Sequence, residues 1–185
     1  MHDRLDRRIT ACQPFADRAR YAAFLRTQHR LHRDVEALYA DPVLNVLLPG
    51  LRERSRLALV EQDLADLGAQ TEGTALPAPA FAPAAGAPAT NMATALGWLY
   101  TVEGSNIGAA FLLKAAAGLG LDAGFGARHL APHADGRAAH WRDFIAQLDE
   151  VRLSAAEESR VDAGAQAAFA AALAYAQQYL PVADE

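Results

Sequence analysis

The side chains in this 185-residue chain best placed to do chemistry are its six histidines and the polar groups one helical turn from them. His2 and Asp6 lie four residues apart, so on a helix the carboxylate can hold one ring proton and leave the other nitrogen for a metal. Gln28 and His32 have the same spacing, and His29 lies one turn from His32. His129, His133 and His140 are scattered through a less regular stretch. No cysteine pair and no His-Glu-x-x-His helix accompanies them, which argues against a zinc site, and no Glu-x-x-His supplies a di-iron bundle. Any metal is therefore expected to arrive inside a cofactor.

A second concentration of unusual chemistry is the stretch Leu96 to Lys114, LGWLYTVEGSNIGAAFLLK. At about 100° per residue, Leu96, Leu99, Tyr100, Glu103, Ile107 and Phe111 follow a helical repeat. Gly97, Thr101, Gly104, Ser105 and Gly108 gather in an adjacent arc. Glycine inside a helix costs roughly 0.5 to 1 kcal/mol relative to alanine, so three on one stripe imply that a bulky object approaches this backbone, either another helix or a flat ligand. Ser105 and Asn106 favour the ligand, because a dry helix contact would leave their polar groups unpaired.

The elements that must position these groups read as helices throughout, with no period-two strand. A first helix covers residues 2 to 12 and stops before Pro14. Asp17 caps a long second one carrying Tyr21, Phe24, Leu25, Gln28, His32, Val35 and Tyr39 on one stripe, ending at Pro42. A third is expected from about Arg52 to Gly68. Residues 69 to 90, rich in proline and alanine, form a loop within a single domain spanning 1–185, since neither flank alone can bury a core. Gly118 to Gly136 is irregular, Asp135 starts a helix with Trp141, Phe144, Ile145 and Leu148 inward, and Ser154 with Glu157 is a capping box opening the last helix. The expected fold is an all-α single-domain bundle.

Composition narrows the function. The single cysteine, Cys12, permits no internal disulfide, reads as a small buried hydrophobe, and fits a cytoplasmic location. No secretory leader and no apolar run of membrane length is apparent. The net charge of −5 hides an asymmetry: residues 1–60 hold eleven arginines against seven carboxylates. With an acidic pI of about 5.7 and no basic patch interleaved with aromatics, nucleic acid is not an expected partner.

Two blocks carry a family resemblance. GWLYTVEGSNIGAAFLLK resembles the distal helix of bacterial haem oxygenases, and FGARHLAPHADGRAAHWRDF resembles the segment that follows it. MHDRLDRRITACQPFADR is similar to the family segment in which a histidine binds haem iron from the proximal side. The similarity runs from His2 to about Leu180. It implies His2 as the axial iron ligand, with Asp6 behind it, although relatives carry further helix before this histidine where the present sequence has only Met1. Gln28, His32, Arg56 and Asn106 match positions that line a distal pocket and its ordered water. Tyr100 and Phe169 become pocket walls, and Gly104, Ser105 and Gly108 the close-approach face.

The activity implied is cleavage of haem, both substrate and cofactor, to biliverdin, ferrous iron and carbon monoxide with O2. In that scheme the glycine backbone crowds one edge of the ring while water held by the four polar residues supplies protons in place of an adjacent strong acid. No nucleotide-binding glycine motif and no Fe–S cysteine set is present, so electrons are expected from an external reductase, ferredoxin or flavodoxin. The basic N-terminal third, Arg30 and Arg33 included, is the expected receiver of that donor and of the haem propionates. The alternatives are a haem carrier or sensor that has lost turnover, and a cofactor-free helical interaction protein.

Overall fold

The computed structural model describes residues 2–71 and 90–180, with side chains from 4 to 71 and 92 to 180. Most of the proline- and alanine-rich loop, the His2 side chain and Pro181 therefore lie outside the described residues. Seven α-helices are described: α1 (His2–Ala11), α2 (Arg18–Ala40), α3 (Pro42–Leu47), α4 (Leu57–Asp66), α5 (Thr90–Ala117), α6 (Arg137–Asp149) and α7 (Ala155–Tyr179). No strand occurs among the described residues, as the all-α reading expects, and none of these helices is long and apolar enough to cross a membrane.

Local signals set the helix ends. The Asp17 side chain accepts from Arg20 N at 2.8 Å and starts α2. Glu157 Oε2 accepts from Ser154 N at 2.8 Å, the reciprocal arm of the capping box that starts α7. Asp41 is both the end of α2 and the cap of α3, accepting from Val43 N and Leu44 N with Pro42 in the first turn. That short helix is absent from the sequence-based expectation, as is the break in the third one. Arg52–Arg54 form one 3-10 turn, and α4 begins only after Arg56. Asp135 does not cap α6; Gly136, at φ 84°, occupies that position, a backbone state that only glycine adopts without strain.

Helix α5 runs through the middle and packs most extensively on α7, which also carries α1 and α2. The α5/α7 crossing depends on two glycines. A Cβ on Gly97 would sit 2.0 Å from Val161 O, and one on Gly164 would sit 2.2 Å from Thr94 O. Gly97 is thus spent on helix packing. Around the crossing the core gathers Val35, Leu96, Leu99, Val102, Phe144 and Tyr175, while a second cluster under α1 includes Cys12, Phe24 and Leu121. Cys12 is buried, its thiol donating to Leu180 O at 3.5 Å.

Arg30 corrects an expectation. It is 1% exposed, and its Nε donates to both Asp34 carboxylate oxygens at 2.9 Å. The guanidinium lies over the Tyr175 ring, whose hydroxyl also donates to Asp34. This pair ties α2 to α7, so Arg30 is not part of a docking surface. Arg33, one residue past the buried stripe, is exposed.

Candidate active site

Two halves of α5 have different fates. Leu96, Leu99 and Glu103 of the expected stripe are buried, but Tyr100, Ile107 and Phe111 are 45%, 49% and 80% exposed. The second half therefore turns an aromatic and aliphatic face outward, an arrangement that marks a binding surface when the residues are contiguous. Gly108 lies within that half with nothing within 4 Å of where its Cβ would stand, and Gly104 looks onto the Trp141 ring at 3.4 Å. On this arc, Gly108 is the glycine left bare among the described residues, since the Trp141 ring covers Gly104. Ser105 does not carry the unpaired hydroxyl expected of it, because its Oγ donates back to Val102 O at 2.7 Å. Farther along, a groove of about 460 Å3 separates α5 from the end of α1, lined by Ile9, Gln13, Phe15, Phe111 and Leu112. That volume falls within the range of small-molecule pockets.

Behind the outward face lies a polar cavity. Arg56, Glu103, Asn106, Arg137 and His140 line it, with about 10 Å3 open at its centre, the space one water needs. Arg56 stands at the residue just before α4, in the turn that leads into that helix. Its Nη1 donates to His129 O at 2.6 Å and Ala131 O at 3.0 Å, which fixes the guanidinium across the cavity. Arg137 Nη1 donates to Asn106 O at 3.2 Å and ties the irregular segment to α5. Glu103 is held on both oxygens, by Tyr39 Oη at 2.7 Å and Arg54 Nη1 at 3.1 Å, while Arg54 also reaches His140 O. Burial pushes the Glu103 carboxyl up despite these donors, and pushes the Tyr39 hydroxyl well above its ordinary value, with the Glu103 charge adding to it.

His32 is fully enclosed, and burial, followed by the nearby His129, Arg56 and His29, brings its pKa down to about 3. It is neutral at physiological pH, and its Nδ1 has no partner among the described residues. His129 has the same character. Its Nδ1 lies 2.7 Å from Asp63 Oδ2, so that nitrogen carries the proton, and its Nε2 is buried without a partner among the described residues. Burial lowers its pKa, with Asp63 opposing. Asp63 is itself fixed by the backbone N–H groups of Arg128 at 2.9 Å and His129 at 3.0 Å.

Of the residues named from sequence, the structure thus brings Arg56 and Asn106 to one cavity and places His32 within electrostatic reach of Arg56. Gln28, half-buried, sits one turn before His32 on α2. Tyr100 stands beside Trp141, ring centroids 5.5 Å apart, and Phe169 is half-buried on α7. Asp6 is exposed on α1, four residues past His2. His129, Asp63, Glu103 and Tyr39 were not legible as site residues. The pairs they form are 66 and 64 positions apart, and no local pattern announces such contacts.

The donor set suits a flat, largely apolar ring. The outward half of α5 offers it an apolar face with one bare glycine, and the polar cavity lies beside that face. Comparison with known proteins gives the same class. The family model described as "Heme oxygenase" matches residues 1–177. A haem oxygenase of Pseudomonas aeruginosa, PigA, is 42% identical over 168 residues, covering 91% of this chain and 81% of the relative. One of Xanthomonas campestris is 33% identical, covering 85% and 89%. The crystal structure of the NO- and CO-bound haem oxygenase of Neisseria meningitidis superposes with a TM-score of 0.89 at 38% identity, covering all of this chain and 88% of that one. By sequence and by fold, the chain belongs to the haem oxygenase family.

Proposed function

We propose that this haem oxygenase seats its substrate against the outward half of α5, with His2 on α1 as the residue that would hold the iron, and takes its electrons from an external reductase, ferredoxin or flavodoxin type donor. The observation that carries the reading is the exposure of Tyr100, Ile107 and Phe111 around bare Gly108, with a polar cavity directly behind. When bound, haem supplies the iron at which O2 is reduced and is itself opened to biliverdin, ferrous iron and carbon monoxide.

The chain's own residues bind, exclude and move protons. Tyr100, Ile107 and Phe111 grip the ring by apolar contact, with Phe169 as a further wall. The bare backbone at Gly108, beside Gly104, would stand against the ring, and a side chain at 108 would fill that space. Asp6, four residues past His2 on α1, would hold the ring proton of the ligand. Arg56, pinned on two carbonyls, keeps further N–H donors for water, and Asn106, Gln28 and the acceptor pairs of Ser105 extend the set. Burial keeps His32 neutral, so this ring would not act as a strong acid, and protons would arrive through water.

Loading the chain with hemin and adding ascorbate or a reductase under air tests the reading. The Soret band should decay into the broad red absorption of biliverdin, and His2→Ala should broaden or abolish the band. A stable Soret band would make the chain a carrier, and no Soret band at all would make α5 only a packing helix.

Donor docking gives a separate test. Arg33→Glu should slow donor-dependent turnover about threefold at low salt, fade as salt screens the charge, and leave ascorbate-driven turnover unchanged. Arg30→Glu should act differently, costing about 3 to 5 kcal/mol of stability by stranding Asp34 in the interior. Equal donor-dependent turnover at all ionic strengths would remove Arg33 from the docking face.

A further inference from the structure

We propose that the stacked pair His133 and His140 is the entrance by which protons pass from solvent to the buried cavity of Arg56 and Asn106. The inference rests on the haem oxygenase reading, which requires protons behind α5 but does not say where they enter.

Two of the cavity's lining residues are exposed, Ile107 and His133. Ile107 belongs to the apolar face assigned to haem and carries no exchangeable side-chain proton. His133 is therefore the exposed polar side chain of the lining, the other polar groups being half-buried or buried. Its ring lies 4.2 Å from that of half-buried His140, 15° from parallel, and its Nδ1 is 3.3 Å from Asp135. The pair is held in place from both sides. Arg54 Nη2 donates to His140 O at 3.0 Å, and Arg137 bridges Asn106 O and Leu130 O.

The other polar groups of the cavity are poor carriers. Arg56 and Arg137 are guanidinium groups that do not give up a proton under ordinary conditions. Glu103 is engaged on both oxygens by Tyr39 and Arg54. The imidazoles differ, since each can accept on one nitrogen and donate from the other. Burial, with Arg54, His133 and Arg56 adding to it and Asp143 opposing, brings the His140 pKa down to about 4, so this ring stays neutral and does not block the passage with fixed charge. Stacked rings cannot hydrogen-bond face to face. The proton therefore passes by the ring edges through cavity water rather than from ring to ring.

His133→Phe, His140→Phe and the double variant keep the stacking and remove the carriers. In the haem-loaded protein, ascorbate-driven conversion at low buffer concentration should slow about tenfold in the double variant. Raising phosphate, a mobile proton donor, should restore it, and His133→Asp should restore part of it. Independently of turnover, the side-chain N–H protons of Arg56 and Asn106 in the haem-free chain should exchange with deuterium about tenfold more slowly in the double variant, followed by NMR. Unchanged rates, unchanged buffer dependence and unchanged exchange would overturn the proposal. So would slowing that tracks lost hemin affinity and ignores phosphate, since the pair would then only support the pocket. If the wild-type chain does not turn haem over, the functional reading fails, while the exchange experiment still decides the entrance.

Discussion

Gly97→Ala should destabilise the fold by about 3 kcal/mol or more, while Gly108→Leu should leave stability unchanged or raise it and weaken hemin binding about ten- to a hundredfold. Both residues lie on the same glycine arc of α5, and the sequence offers no reason to separate them. The structure does. A methyl at 97 would stand 2.0 Å from Val161 O and 2.6 Å from Ala165 N, so the α5 and α7 backbones would have to part. Those backbones belong to the most extensive helix contact in the fold, and total stability of domains this size is only about 5 to 15 kcal/mol. At 108 a side chain meets nothing within 4 Å and removes the helix penalty of glycine, yet it occupies the space assigned to the ring. Urea unfolding and hemin titration of the two variants separate the effects. Equal stability of wild type and Gly97→Ala, or unchanged hemin affinity of Gly108→Leu, would contradict this division.

Acid should unfold the protein steeply from below pH 6.5. His32, with its pKa brought down to about 3, and His129, also lowered, are buried as neutral rings. Between its folded value and the ordinary 6.5 each binds a proton in the unfolded chain and not in the folded one. Stability is thus fully present above about pH 6.5 and falls as pH drops, by up to about 1.4 kcal/mol per pH unit for each ring. Glu103 works against this trend near its own range, since its raised value lets the folded state bind a proton more readily than the unfolded chain. The lowered carboxyls Asp66 and Glu157 add to the acid loss, at lower pH than the histidines. Urea midpoints at pH 7.5, 6.5 and 5.5 should fall progressively, and His32→Gln should flatten the slope. A constant midpoint across that window would mean that the histidines are not buried as neutral rings.

Local chemistry made much of the fold legible. Asp17 before an apolar stripe and Ser154 with Glu157 mark helix starts that the structure keeps, because a cap acts within one turn of the residues that signal it. Asp41 with Pro42 carries the same kind of signal and announces α3, though it reads more readily as the end of α2. Periodicity was less informative along α5. It assigned Ile107 and Phe111 to the same stripe as Leu96 and Leu99, but burial depends on which neighbours cover each turn, and the later turns of that stripe are left exposed. The His129–Asp63 pair and the Tyr39–Glu103–Arg54 bridge join segments that only the tertiary fold brings together. Family resemblance could point to Arg56 and Asn106, whereas the carbonyl contacts that aim Arg56 had to be seen.

The location of bound haem is the central claim, and NMR of the chain loaded with paramagnetic ferric hemin tests it most directly. Signals from Tyr100, Ile107, Gly108 and Phe111, and from α1 near His2, should broaden beyond detection or shift strongly. Those of the exposed Val43 and Val46 on α3, and of Gly164 under the α5/α7 crossing, should keep their haem-free positions. Broadening centred on α3, or spread with no preference for the outward half of α5, would contradict the account.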